Sequence, residues 1–302
     1  SEFIERYAKS KSVYVLFNSK TRKKGDLSFA CKTEDVALNK ELYKKTSKII
    51  SNTGVFKTIR LALSCTGEYT AAHGGTVNGA LAAMNATMIR VNGIFNKDLA
   101  IQLNLVATNT SIIFTDAAAD PYSDEAVGLA TVTGCTGDCP GTWNKEVQST
   151  ITTVIGEANY DIGHLFAATG GGGDAGCIGC ICDALTATNS TPSYQLGKGS
   201  AYTSPSDGIS EGDTFDIDYV AHELGHQFGG NHSFSNNVEG SGVNVEPGSG
   251  STIMAYAGIT GSTDVQAHSN EFEIDLSAQE SGAYSLGYFE NGNWMVESFV
   301  KE

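Results

Sequence analysis

The eleven residues His222-Glu223-Leu224-Gly225-His226-Gln227-Phe228-Gly229-Gly230-Asn231-His232 constrain this chain more than any other stretch of it. If Tyr219 to Phe228 is helical, His222 and His226 lie one turn apart on one face and can grip the same metal ion. Glu223 sits beside them, placed to hold a water next to the metal without ligating it. Gly229 tolerates the positive φ that ends a helix, so the chain can turn back and bring in His232 as a third imidazole. Three histidines leave the fourth position of a tetrahedral zinc open, the arrangement of a catalytic rather than a structural site.

A second stretch, Ser251-Thr252-Ile253-Met254-Ala255-Tyr256, places a methionine 22 residues after His232. Together the two stretches resemble the metzincin metalloendopeptidases, whose zinc signature HExxHxxGxxH is matched at every fixed position. The resemblance implies that His222, His226 and His232 bind one catalytic Zn2+, with Glu223 as general base and Met254 as an apolar floor beneath the imidazoles. Tyr256 is similar to the tyrosine that astacins and serralysins use as an extra zinc ligand and transition-state hydrogen-bond donor. The surroundings, Ala221 to Phe234 and Glu246-Pro247-Gly248-Ser249-Gly250, resemble reprolysin-like peptidases secreted by bacteria, especially flavobacterial types. Ser233 stands where animal adamalysins carry Asp, as in matrixins, so the subgroup is left open. The implied fold is α/β (α+β) with metzincin architecture. Its upper subdomain, 58–229, would hold a mixed twisted sheet and two long helices. Its lower subdomain, 230–302, would hold the Met-turn and a C-terminal helix.

A chain of 302 residues can bury a sizeable core in one or two domains. A formal charge of −15 argues against nucleic acid as a partner. No run of 18 apolar residues spans a membrane. No signal peptide opens the chain, and Ser1-Glu2-Phe3 reads as an artificial or processing boundary. The seven cysteines are Cys31, Cys65, Cys135, Cys139, Cys177, Cys180 and Cys182. No second CxxC at zinc-finger spacing accompanies Cys177-x-x-Cys180-x-Cys182, so disulfides of an exported enzyme are the better reading than a zinc or redox cluster. Cys135 with Cys139 would make a small loop, and one thiol must be left over.

The first 57 residues hold 13 of the 19 Lys and Arg but only 6 of the 34 acids. They read either as a basic strand and loop of the catalytic domain or as the tail of a prosegment held partly by charge. The resemblance favours the second, because catalytic domains of the bacterial relatives begin near Thr58-Ile59-Arg60-Leu61-Ala62-Leu63. Cys31 then becomes a candidate zinc ligand of the latent state, since a thiolate binds zinc well and several metzincin zymogens use such a cysteine. A Cys31–Cys65 disulfide is the alternative.

From Thr58 the pattern is αβ. Ile59, Leu61 and Leu63 alternate as a strand, Thr76 is a candidate N-cap, and Val77 to Phe95 reads as an amphipathic helix with Met84 and Met88 in the core. Strands are expected at 99–106 and 111–115. Asp116 to Glu125 is an acidic turn, either solvated or a low-grade candidate for Ca2+, with no EF-hand spacing to support an ion. A second helix is expected over 146–158 and a strand over 160–166, with His164 structural. Gly171, Gly173 and Gly176 spell GxGxxG, but no helix follows, so a glycine-rich strand on the rim of a peptide cleft is the better reading. Residues 183–211 read as a surface connection. Asp213, Asp216 and Asp218 suit the N-terminus of the zinc helix. A closing helix is expected over 269–279 and a final strand or hairpin over 284–302.

These readings converge on a secreted zinc endopeptidase, a monomer acting on protein or peptide substrates. Two alternatives remain: a latent zymogen blocked by Cys31 or the N-terminal segment, and a zinc-fold binding or adhesion module without turnover. The intact Glu223 argues against the last.

Overall fold

The computed structural model describes residues 2–6, 14–18, 30–33, 35, 55–133, 140–184, 190–191, 194–235, 243–246, 248–250, 252–256, 282–290 and 293–301. The chain divides into two compact units, Ser1–His268 and Ser269–Glu302. The second contains an antiparallel hairpin, which agrees with the hairpin expected near the C-terminus. The helix expected over 269–279 lies outside the described residues, as do Cys135 and Cys139.

In the first unit, β1 (Glu2–Arg6) and β2 (Tyr14–Asn18) form an antiparallel pair. The main sheet is built from β3 (Ala30–Cys31), β4 (Lys57–Cys65), β5 (Ile101–Leu105), β6 (Ile162–Phe166), β7 (Gly172–Asp174) and β8 (Ala201–Ser204), in the order β3-β7-β8-β6-β4-β5. All neighbours run parallel except β7 with β8. This mixed sheet with helices on its faces is the expected metzincin fold class.

Two apolar cores flank the sheet. Leu61 and Leu63 of β4 face a core shared with Met84, Met88, Val91 and Phe95 of the helix α1 (Val77–Asp98). Ala62, between them, faces the opposite core with Trp143, Val147 and Ile151 of α2 (Thr142–Val154). The period-two alternation of β4 thus divides its side chains between two helical layers. Thr76 caps α1 as its sequence suggested, accepting from Gly79 N at 3.1 Å. The helix α2 starts four residues before the expected one, because Trp143 is buried against Tyr202. Gly156, at φ +86°, follows its end.

Two expectations fail. Residues 111–115 do not form a strand: Asn109–Ile112 is a 3-10 turn. The Asn109 side chain accepts from Leu63 N at 2.8 Å and donates to Leu63 O at 2.9 Å, doing locally what a strand partner would do. The stretch 183–211 is not merely a surface connection, since β8 lies between β6 and β7 with all four residues buried. Polar Thr203 and Ser204 suit this strand because their hydroxyls find partners inside the protein, while the Tyr202 ring packs in the apolar core. Ser204 Oγ donates to Gly172 O at 2.8 Å, and Thr203 Oγ1 meets His164 Nε2 at 2.8 Å.

The helix α3 (His222–Gln227) follows a wide π-helical segment, Thr214–Ala221. Asp216 within that segment is buried, accepting from Thr87 Oγ1 at 2.8 Å and pairing with Arg90 Nε at 2.9 Å on α1. The acidic residues before the motif therefore fasten its helix to α1 rather than only meeting the helix dipole. After α3 come β9 (Gly282–Glu290) and β10 (Asn293–Lys301), the hairpin of the second unit.

Candidate active site

The helix α3 sets His222 and His226 on one face, and Gly229 at φ +106° lets the chain reverse so that His232 returns to them. Their Nε2 atoms stand 3.0, 3.2 and 3.3 Å apart. Each Nδ1 faces an acceptor: Ile253 O at 2.5 Å for His222, Gly230 O at 2.6 Å for His226, and Asp35 Oδ1 at 3.1 Å for His232. A carbonyl can only accept, so in His222 and His226 the proton sits on Nδ1. Burial pushes the pKa of His222 down to about 3 and that of His226 well below its usual range, with neighbouring imidazoles adding to both shifts. Both rings are therefore neutral, and their Nε2 lone pairs point at one another.

Lone pairs converging at such distances call for a cation. A tetrahedral zinc with bonds of about 2.0–2.1 Å to nitrogen spaces its nitrogens about 3.3–3.4 Å apart. Cys31 Sγ completes the group at 3.6 Å from His226 Nε2, about the edge expected with a zinc–sulfur bond near 2.3 Å. All four donor atoms lie within 4.8 Å of one another. The donor set suits zinc, and the cluster could hold a metal ion.

Cys31 reaches this point because β3 lies along β7, with Ala30 N donating to Gly171 O at 2.9 Å and Lys32 N to Gly173 O at 2.8 Å. The Cys31–Cys65 disulfide does not form; both thiols are free, and Cys65 is buried with its sulfur 3.3 Å from Thr70 Oγ1. Among the described residues a disulfide joins Cys177 to Cys180. Its loop braces the end of α3, with Gly179 N donating to His226 O at 2.9 Å.

Glu223 is buried on the same helix, and its Oε2 accepts from Thr33 Oγ1 at 3.2 Å. Burial first, then the charge of Asp174, raises its pKa well above the ordinary carboxylate range. Its carboxyl lies so close to β7 that a Cβ on Gly173 would come within 2.6 Å of Cδ and 2.7 Å of Cγ. Met254 packs against the backbone glycines of the motif: a Cβ on Gly225 would meet its sulfur, and one on Gly230 would lie 3.2 Å from its Cε. Tyr256 lies beside the cluster, its ring centroid 4.9 Å from that of His232 and 5.9 Å from that of His222.

Six of the seven residues that the sequence singled out thus gather around one point, while Met254 lies beneath the motif. His164 stays apart in a structural role. Its Nδ1 lies 3.2 Å from Gln227 Oε1, which latches β6 to α3, and burial lowers its pKa to about 4. Reading by sequence missed Thr33, Asp35, Asp174 and the tight fit at Gly173. A signal was present for two of them, because Cys31, Thr33 and Asp35 alternate and would share one side of an extended segment.

A family model described as metallo-peptidase family M12B, reprolysin-like, matches residues 55–281. The chain belongs to that family. No curated protein matches it. Membership makes it a metallopeptidase of the metzincin type, a hydrolase of peptide bonds whose substrates are proteins or peptides, in a family that is zinc-dependent. The reprolysin-like assignment agrees with the sequence resemblance at the level of the family. Among the described residues, no helix is long and apolar enough to cross a membrane.

Proposed function

We propose that this reprolysin-like chain is a secreted zinc endopeptidase in which His222, His226 and His232 hold the ion and Glu223 is the general base. The observation that carries the reading is the convergence of three Nε2 atoms at 3.0–3.3 Å beside a buried carboxyl. Bound there, zinc supplies Lewis acidity at the scissile carbonyl and makes a water acidic enough to be deprotonated near neutral pH.

Glu223 takes the proton of the attacking water as its oxygen bonds to the carbonyl carbon. It then returns a proton to the amine nitrogen as the carbon–nitrogen bond breaks. Tyr256 is the candidate donor to the negative charge that develops on the carbonyl oxygen. Once β3 leaves it, β7 offers at its glycines an edge free of side chains along which an extended peptide can pair backbone to backbone. Met254 supports the two glycines between which the motif turns. The Cys177–Cys180 disulfide favours an oxidising, extracellular location.

A second reading concerns the form in hand. Residues 1–57 act as a prosegment and 58–302 as the catalytic domain, divided into 58–229 and 230–302. The segment places Cys31 Sγ among the imidazoles and Thr33 Oγ1 on the carboxyl of Glu223. It therefore engages the fourth donor position and the base at once, and the intact chain is latent.

The test uses a denatured protein substrate, with and without a zinc chelator, and follows loss of residues 1–57 during incubation. Glu223→Gln should retain zinc and lose turnover, whereas His222→Ala should lose both. Chelator-insensitive turnover, or full turnover in Glu223→Gln, would sink the reading.

A further inference from the structure

The three imidazoles share one pattern: Nε2 faces inward and Nδ1 faces an acceptor. For His222 and His226 that acceptor is a backbone carbonyl within the motif or the Met-turn, Gly230 O or Ile253 O. For His232 it is Asp35, nearly 200 residues earlier in the chain. Asp35 Oδ1 takes two contacts from one residue, 2.9 Å from His232 N and 3.1 Å from His232 Nδ1. Both side chains are 1% exposed. A buried carboxylate is costly unless its charge is used, and nothing about metal blocking by Cys31 requires one here.

We infer that Asp35 is a positioning residue for the third histidine, so the N-terminal segment helps to assemble the metal site that it also obstructs. A carboxylate on Nδ1 fixes the tautomer that leaves Nε2 as the ligand and holds the ring plane. The contact to His232 N adds control of the backbone where the chain returns after Gly229 and Gly230. Cys31, Thr33 and Asp35 then have separate tasks on one short stretch: the fourth donor, the partner of the base, and the orienter of a ligand.

The consequence is an order of events. Metal is held most firmly while the segment is in place, and release of the segment removes an outer-sphere partner along with the thiolate. Loading therefore belongs to the intact chain, before any activation. This inference rests on the three-histidine reading of the site but not on Cys31 being a ligand.

The experiment is competition for zinc between the full chain and a chromogenic chelator, for wild type, Asp35→Ala, Asp35→Asn, Cys31→Ala and the Cys31→Ala/Asp35→Ala double variant. Asp35→Ala should weaken zinc binding by about 10- to 100-fold, the usual effect of losing an outer-sphere partner. The loss should be of similar size in the Cys31→Ala background. Asp35→Asn, whose amide oxygen can still accept from Nδ1, should recover part of it. The zinc-free forms should unfold at the same temperature, which separates positioning from a general loss of stability.

Asp35→Ala binding zinc within twofold of wild type in both backgrounds would overturn the inference while leaving the metal site standing. So would equal affinity losses in Asp35→Ala and Asp35→Asn accompanied by equal drops in zinc-free stability. If the wild-type chain itself binds no zinc, the three-histidine reading falls and takes this inference with it.

Discussion

Gly173 offers a sharp test of the proposed role of Glu223, because the three atoms nearest a Cβ at that position all belong to the Glu223 side chain. The added Cβ would lie 2.6 Å from Cδ and 2.7 Å from Cγ of Glu223, where ordinary contact begins at 3.4 Å. One of the two must give by roughly 1 Å. The strand cannot easily yield, since β7 stays paired with β8 through Gly173 and Thr203 when residues 1–57 are gone. The carboxyl therefore moves, and a displacement of about 1 Å at a catalytic group costs on the order of 100-fold in rate. Gly172→Ala is the control. Its Cβ would meet Ala30 O at 3.2 Å and Leu129 Cδ2 at 3.5 Å, with no atom of Glu223 among its three nearest neighbours. The assay is initial rate on a denatured protein substrate with residues 1–57 removed, alongside bound zinc per chain. Gly173→Ala should lose about two orders of magnitude with zinc retained, and Gly172→Ala should stay within a few-fold of wild type. If Gly173→Ala keeps more than a third of the wild-type rate, Glu223 is not the base in the position described.

Cys31→Ala in the full chain should raise turnover by at least about tenfold, the change that 1.4 kcal/mol of lost ligation would produce; an intact variant no more active than wild type would end the latency reading. Tyr256→Phe should lower turnover by about 10- to 100-fold with zinc content unchanged, somewhat less than loss of a strong oxyanion donor. Unaltered rate would remove Tyr256 from the mechanism. His164 predicts a pH dependence of stability. Its folded pKa of about 4 lies below the ordinary 6.5, so between those values the unfolded chain binds a proton that the folded chain refuses. Its contribution is complete above about pH 6.5 and falls as pH drops toward 4, by up to roughly 3 kcal/mol. His164→Gln should flatten the denaturation midpoint over that window relative to wild type, and an unchanged slope would mean that His164 is not held neutral.

The parts of the fold that were legible are those whose core contacts are apolar and periodic. Leu61 and Leu63 mark β4, and Met84, Met88, Val91 and Phe95 mark α1, because burial alone accounts for their spacing. The strand β8 was hidden because two of its four residues, Thr203 and Ser204, are buried through hydroxyl contacts to His164 and Gly172, which leaves no hydrophobic alternation to read. The strand expected over 111–115 was a false positive of the opposite kind. Ile112 and Ile113 are buried, but the Asn109 side chain already occupies the backbone of Leu63. In the site, the motif fixed the spacing of three imidazoles and one carboxyl. It could not announce Thr33 and Asp35, whose approach depends on β3 docking against β7 and on no local pattern near the histidines.

Gly173 would also let one strand serve both a substrate and the segment proposed to exclude it. In a paired register the residue opposite Gly173 is Cys31, and its thiol must reach past the strand to the imidazoles. Glu223 must approach the same strand from α3, so a side chain at 173 would collide with the base. The neighbouring backbone carbonyls, Gly171 O and Gly173 O, accept from Ala30 N and Lys32 N in the intact chain. An extended substrate pairing with this edge would need the same acceptors. Occupation by β3 and occupation by substrate are therefore mutually exclusive at the backbone, before the thiol or the metal enters the comparison. It follows that removing Cys31 alone should give only partial activity, with the remainder appearing when residues 30–33 leave β7. Full activity in intact Cys31→Ala, equal to that of the chain without residues 1–57, would show that the backbone pairing offers no barrier.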